Sequence, residues 1–149
     1  MIKLISKSSD ETIKIGYKLA LNFKGDEVVI LNGDLASGKT TITKGIAQAI
    51  DVKNIITSPT FVICKEYVGK FNLYHLDLYR LNELGEDFNL MDYFNQGIVV
   101  IEWPYNVKEL VPNDYIEISF KTINEYEREI LIKGTNLELD GVVSAAFSS

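Results

Sequence analysis

The sequence predicts an α/β fold with a mostly parallel sheet at its centre, antiparallel hairpins, and helices on both faces of the sheet. Strand-like and helical segments alternate along the chain, which is the order that builds such sheets. Two short aliphatic runs, at residues 28–31 and 98–101, are typical of strands buried on both faces. A glycine-containing loop joins the first run to a helical segment, as in strand–loop–helix units.

Composition limits the classes of protein to which the chain can belong. Its 149 residues suit one domain, and 46% hydrophobic residues are too many for a disordered chain. No apolar run approaches the roughly 18 residues that span a bilayer, so we expect no membrane segment and a cytoplasmic protein. The single cysteine, Cys64, excludes a disulfide framework within the chain, and the single histidine, His75, leaves little for a histidine-rich metal site.

The charges argue against a protein that grips nucleic acid by itself. The net charge is −6, whereas such proteins usually carry a basic face. Only two of the 15 basic residues are arginines, Arg80 and Arg128. A mechanism that needs several arginines would therefore have to obtain them from another protein.

The first third of the chain is predicted as an edge strand, a helix and a buried strand. Residues 1–6 form the edge strand, and Ser8 and Glu11 have the capping-box spacing that begins a helix. Apolar residues then recur at helical spacing, so this helix buries one face. They are Ile13, Tyr17, Ala20 and Phe23. Residues 25–26 end the helix, and the aliphatic run at 28–31 follows.

The rest of the chain alternates in the same way. After the loop we expect a helix to about residue 50, a hairpin, a helical segment interrupted at Gly85, a buried strand stopped by Pro104, and a closing hairpin. These elements are placed at 60–68 with 71–77, 81–94, 98–102, and 115–120 with 128–133. Residues 1–135 are assigned to one domain, and the weakly patterned residues 136–149 to a loosely packed C-terminal tail.

Residues 33–40 match the phosphate-binding pattern G-x-x-x-x-G-K-[ST]. Gly33 and Gly38 permit a tight turn that aims backbone N–H groups at a phosphate, and the following helix adds the positive end of its dipole. Lys39 would reach the outer phosphates, and the Thr40 hydroxyl would ligate Mg²⁺. The motif predicts a P-loop NTPase-like sheet. Its nucleotide-binding residues would be Gly33, Asp34, Leu35, Ala36, Ser37, Gly38, Lys39, Thr40 and Thr41.

Such a site needs an acid that holds Mg²⁺ or positions water, and two acids end predicted strands. Glu102 follows four aliphatic residues at the end of the second buried strand. Asp77 shares a face of its strand with Leu73 and His75, so it points toward the site or into solvent. Its structural alternative is a cap or an ion pair, for which Arg80 is the candidate partner.

Four other features have structural interpretations beside functional ones. The hydroxyl-rich loop at residues 57–60 either senses a γ-phosphate, as a switch does, or simply enters a strand. His75 is interpreted as a satisfied structural histidine rather than a base. Trp103 is interpreted as core or interface packing, and Cys64 as a small buried apolar residue.

Five sequence blocks occur in an order and spacing that are far more specific than the phosphate loop alone. They are GDLASGKTT at 33–41, SPTF at 58–61, HLDLYRL at 75–81, DYF at 92–94 and IEWP at 101–104. This series closely resembles the TsaE family, formerly YjeE, of P-loop ATPases in bacterial tRNA threonylcarbamoyladenosine synthesis. The resemblance covers residues 2–133.

The resemblance implies a protein that binds ATP, docks on the TsaB and TsaD proteins, and hydrolyses ATP to ADP to reset that complex between turnovers. TsaB and TsaD would modify the tRNA, so this chain would reach tRNA only through the complex. By position, the expected catalytic residues are Lys39, which grips phosphates, Asp77, an essential acid, and Glu102. Thr40 and Glu102 are the expected Mg²⁺ ligands, and Arg128 is expected near the nucleotide.

The resemblance also places Thr60 in the switch-like segment. The chain departs from the family at residues 36–37, which are Ala-Ser where the family usually has Gly-Ala. Because both positions vary in the general P-loop pattern, we expect nucleotide binding to survive. The shortage of arginines predicts slow ATP hydrolysis by the chain alone and faster hydrolysis with its partners, since a supplied arginine contributes about 10³–10⁵ in such reactions.

Three other functions compete with this interpretation. A small-molecule kinase shares the P-loop and the size, but normally carries an arginine-rich lid, and the chain has no such segment. A GTPase switch would need Asn-Lys-x-Asp and Asp-x-x-Gly, and the chain contains neither. The intact Lys39, Thr40 and Glu102 argue against a binding module with a decayed site.

Overall fold

The computed structural model describes residues 1–33, 38–57, 64–78, 90–102 and 111–148, which form a seven-stranded sheet and three α-helices. The strands are β1 (Ile2–Ser6), β2 (Val28–Asn32), β3 (Cys64–Val68), β4 (Asn72–Asp77), β5 (Ile98–Glu102), β6 (Ile116–Thr122) and β7 (Arg128–Gly134). The helices are α1 (Ser9–Ala20), α2 (Lys39–Ala49) and α3 (Leu137–Phe147), with a 3₁₀ helix at Leu90–Tyr93.

The sheet has the predicted parallel centre. Its strand order is β1-β7-β6-β2-β5-β4-β3, and the four central strands β6, β2, β5 and β4 run parallel. The outer strands are antiparallel, and β3–β4 and β6–β7 are the two predicted hairpins. Because parallel strands end at the same edge of a sheet, the carboxyl ends of β2, β5 and β4 lie side by side. We call this edge the carboxyl edge.

The element bounds follow the predictions where the structure describes them. The first α-helix, the helix after the loop and both aliphatic strands are confirmed. The strand predicted at 60–68 is described from Cys64 onward. Of the helical segment predicted at 81–94, only the 3₁₀ helix lies within the described residues.

All three α-helices pack on one face of the sheet, where they form the larger core. Ile42 and Ile46 of α2 and Val143 of α3 are fully buried there, together with Leu31 of β2. The opposite face carries a smaller apolar cluster against which Tyr93 of the 3₁₀ helix packs. Among the described residues, the second face is therefore covered by a 3₁₀ helix rather than by an α-helix. No helix in these ranges is both long and apolar enough to cross a membrane.

Two glycines allow α1 and α2 to approach each other closely. A Cβ at Gly45 of α2 would overlap the carbonyl oxygen of Ile13, and a Cβ at Gly16 of α1 would overlap that of Ile42. Any larger side chain at either position would push the helices apart. This contact holds α2, and with it the phosphate-binding motif, against the rest of the domain.

The expectation of a loosely packed tail is corrected by the structure. Asn136 caps α3, because its side-chain oxygen accepts a 2.8 Å hydrogen bond from the Leu139 N–H. Val143 is fully buried, and Leu139 and Phe147 pack beside it on the larger core. Helix formation here depends on this packing, which the weak local pattern does not reveal.

Candidate nucleotide and metal site

The start of α2 lies at the carboxyl edge, directly after β2 and the loop. Gly38 is the N-cap residue and has φ = +115°, a left-handed conformation that favours glycine. The Phe120 ring of β6 would lie 3.4 Å from a Cβ at this position. No side chain of the described residues caps α2. The first N–H groups of a helix have no partner within the helix, and they form the positive end of its dipole. This is the arrangement that binds phosphate in strand–loop–helix units.

Lys39 is buried at this helix start, with only 5% of its surface exposed. Its Nζ donates a 2.6 Å hydrogen bond to the carbonyl oxygen of Gly33, the first residue of the motif. The Thr43 hydroxyl donates to the Lys39 carbonyl within the helix. Thr40 and Thr41 are half-buried in the same turn. The lysine charge is therefore held at the loop.

Two buried acids stand beside the loop on the neighbouring strands. Asp77 is the last residue of β4 and Glu102 the last of β5, and the two are paired in the strand register. Their exposures are 8% and 5%. Both share a strand face with residues of the larger core, Leu73 and Val100, so they lie on the face that α2 covers. Carboxylates at this edge of the sheet are the type of group that could ligate a divalent cation.

His75 is the residue of this site that sequence reasoning did not assign to it. Its side chain is completely buried, and its Nε2 lies 2.5 Å from Oε2 of Glu102. Its other ring nitrogen, Nδ1, has no hydrogen-bond partner within the described part of the chain. One sequence feature pointed to His75, namely that it shares a strand face with Asp77. The sequence did not show that the strand carrying Glu102 lies beside the strand of His75.

The donor set fits Mg²⁺ held together with phosphates. In the described ranges no group of three or more histidine, cysteine or acidic side chains could hold a metal on its own. Magnesium is commonly bound by one or two carboxylates, substrate phosphates and water rather than by an all-protein cage. Glu102 and the Thr40 hydroxyl could supply that kind of partial shell, and Asp77 lies beside Glu102 in the strand register.

Arg128 lies at the carboxyl edge, two strands away from β2. It is the first residue of β7, and β6 separates β7 from β2. Its Nη1 donates to the main-chain carbonyls of Asn124, Glu125 and Glu127, which anchors it in the β6–β7 turn. Several predicted positions fall outside the described residues. They are Asp34, Leu35, Ala36, Ser37, Thr60, Arg80 and Trp103.

Comparison with known proteins identifies close relatives. The family model for "Threonylcarbamoyl adenosine biosynthesis protein TsaE" matches residues 6–130. The tRNA threonylcarbamoyladenosine biosynthesis protein TsaE of Bacillus subtilis is 40% identical over 87% of this chain and 83% of its own length. The protein of that name from Treponema pallidum is 34% identical over 88% of this chain and 99% of its own length. The crystal structure of Bacillus subtilis YdiB aligns with a TM-score of 0.84 at 31% identity, covering 97% of this chain and 93% of that one.

Proposed function

Since the chain belongs to the TsaE family of threonylcarbamoyl adenosine biosynthesis proteins, we propose that its part in that biosynthesis is to bind and hydrolyse ATP with Mg²⁺. One observation carries the proposal. Lys39 begins α2, the helix that follows β2, and Asp77 and Glu102 are the last residues of β4 and β5. These three strands are adjacent and parallel, so the three residues lie at the same edge of the sheet. In open α/β sheets, ligands bind outside the carboxyl ends of the strands.

The start of α2 binds the terminal phosphates of ATP. Its N–H groups present partial positive charge to phosphate oxygens, and Gly38 leaves room for their close approach. The Lys39 ammonium exchanges its hydrogen bond with Gly33 for one with the outer phosphates, where it stabilises the charge that develops during transfer.

The acids and the Thr40 hydroxyl act on the metal and on water. When bound, Mg²⁺ neutralises charge on the phosphate oxygens of the nucleotide. Thr40 and Glu102 would hold the ion. Asp77, paired with Glu102 in the strand register, is assigned to the water that either ligates the ion or attacks the γ-phosphate.

The shortage of arginines supports a need for partners. Arg128 is anchored to the carbonyls of its own turn, and the only other arginine of the chain is Arg80. We therefore assign TsaB and TsaD as the proteins that stimulate hydrolysis. The net charge of −6 supports contact with tRNA only through that complex.

The test is ATP hydrolysis with Mg²⁺, measured for the chain alone and with purified TsaB and TsaD. We expect slow hydrolysis alone, stimulation by the partners, and loss of both in Glu102→Gln. The matched control is Glu129→Gln, which removes a half-buried carboxylate of β7 that pairs with Lys3 at 3.5 Å. Full turnover without partners would contradict the assigned role, and phosphoryl transfer to a metabolite would favour a small-molecule kinase.

A further inference from the structure

We propose that His75 is a positioning residue, which holds the Glu102 carboxylate in the orientation that binds the metal. This inference rests on the proposed function, in which Glu102 is a Mg²⁺ ligand. Its basis is the 2.5 Å contact between His75 Nε2 and Glu102 Oε2. The exposed fractions of the two side chains are 0% and 6%, so water does not compete for this contact.

The register of the strands directs this contact. His75 is paired with Val100, and Glu102 lies two residues farther along β5 on the same face. The hydrogen bond therefore runs diagonally between β4 and β5, so that Glu102 is turned back along the sheet. With Oε2 held by His75, Oε1 remains as the oxygen for the ion.

Asp77 makes this restraint necessary. It is the direct neighbour of Glu102 across the β4–β5 pairing and is buried on the same face. Neighbouring carboxylates repel each other, which would turn Glu102 away from the ion that it is proposed to bind. The hydrogen bond from His75 opposes that rotation, since it fixes one oxygen.

The proton on the His75 ring can be placed from its hydrogen-bond partner, Glu102. An ionised carboxylate only accepts hydrogen bonds, so Nε2 carries the proton and donates it to Oε2. The other ring nitrogen, Nδ1, has no partner within the described ranges. A histidine with a purely structural task would be expected to use both nitrogens. The ring of His75 is bound by its contact with Glu102, which supports a role that is directed at this carboxylate.

The test measures binding of Mn²⁺, as a probe for Mg²⁺, by electron paramagnetic resonance in the presence of ADP. We expect His75→Leu to weaken Mn²⁺ binding by about 10–100-fold, the range seen when groups behind metal ligands are removed. Binding of ADP in EDTA should be unchanged. His75→Gln should recover part of the affinity, because its side-chain amide can donate to the same carboxylate.

Two further variants separate the possible causes. Val99→Ala shortens a fully buried side chain of β5 on the face opposite to that of Glu102. It should therefore lower the thermal midpoint and leave the Mn²⁺ affinity unchanged. Glu102→Gln tests the ligand itself. If Glu102→Gln weakens Mn²⁺ binding and His75→Leu does not, the positioning role is wrong and the proposed function stands. If the wild-type protein binds no Mn²⁺ with ADP, both are overturned.

A measurement on the wild-type protein needs no variant of His75. Because the chain has one histidine, ¹⁵N-labelled histidine gives the NMR signals of a single ring. We expect the proton on Nε2, a downfield Nε2–H resonance, and loss of that resonance in Glu102→Gln. A proton on Nδ1 instead of Nε2 would overturn the proposal, whether or not His75→Leu folds.

Discussion

Asp77 and Glu102 face each other as the final residues of two parallel strands, and both side chains are almost completely buried. Neighbouring parallel strands lie about 4.8 Å apart, so the two carboxylates share one small volume of low dielectric. In the proposed function, Mg²⁺ bound at this edge would offset the repulsion between them. The pair thus links the stability of this edge of the sheet to the ligand that it binds.

Mg²⁺ is expected to stabilise the folded protein when nucleotide is present. A ligand at a hundredfold excess over its Kd adds about 2.7 kcal/mol to the free energy of unfolding. Thermal denaturation with ADP should therefore show a Mg²⁺-dependent rise in midpoint that EDTA reverses. Glu102→Gln should lose most of this rise, and Glu129→Gln should retain it. An equal Mg²⁺ effect in both variants would argue that Glu102 does not hold the ion.

Gly45→Ala is expected to destabilise the protein by roughly 1–3 kcal/mol, the usual cost of forcing atoms into a packed contact. The added methyl group would overlap the Ile13 carbonyl oxygen where α1 and α2 meet. Chemical denaturation measures this cost. Gly141→Ala is the control, because nothing lies within 4 Å of a Cβ there, and it should stabilise α3 by about 0.5–1 kcal/mol. Equal effects of the two changes would contradict the close helix contact.

The Cys64 thiol is expected to react slowly in the folded protein. Burial raises its pKa from the ordinary 9.0 to about 11; a hydrogen bond with Tyr93 lowers it in part, and the Glu66 charge raises it further. At pH 8 the folded thiol should react with iodoacetamide about a hundredfold more slowly than the thiol of the chain unfolded in guanidinium.

The raised pKa of Cys64 also determines how the free energy of unfolding changes with pH. The pKa of Cys64 is higher in the folded state, so the thiol's contribution to the free energy of unfolding is fully present below pH 9.0. This contribution is lost as the pH rises through about 11. Thiol reaction rates at pH 8 to 11, compared with those of the unfolded chain, give the measurement. Equal rates in the two states would show that the thiol is not shielded.

Val143→Ala is expected to cost about 2 kcal/mol, because it leaves a cavity where α3 packs on the sheet. Ser144→Ala, at an exposed position of the same helix, should change stability by no more than about 0.5 kcal/mol. Urea denaturation of both variants compares them directly. If the two were equally stable, α3 would not belong to the cooperative unit.

Local patterns were sufficient for the strand–loop–helix unit and for the two acids. The motif at residues 33–40 depends on glycines and on a helix start, which are properties of neighbouring residues. Glu102 and Asp77 were recognised because each ends a strand. Their pairing was not predictable, because it depends on β4 lying beside β5, and the order of strands is decided by packing between distant segments.

The C-terminal segment shows where local patterns were insufficient. Residues 137–147 contain Gly141 and an apolar pattern that is hardly one-sided, so they gave a weak helical signal. Asn136 is nevertheless a good capping residue, and it does cap α3. A short helix of this kind is stable mainly because its apolar side chains are buried by the sheet and by α1. This burial involves segments that are distant along the chain, so it could not be predicted from the local sequence.

The fold class, the phosphate-binding motif and the chemical types of the candidate site residues could be predicted from the sequence alone, since these depend on periodicity and on neighbours along the chain. The contacts that anchor Arg128 in its own turn and that join His75 to Glu102 are visible only in the tertiary structure. His75 and Glu102 are 27 residues apart in the chain. A contact over such a separation forms only after the sheet has assembled, so no local pattern can determine it.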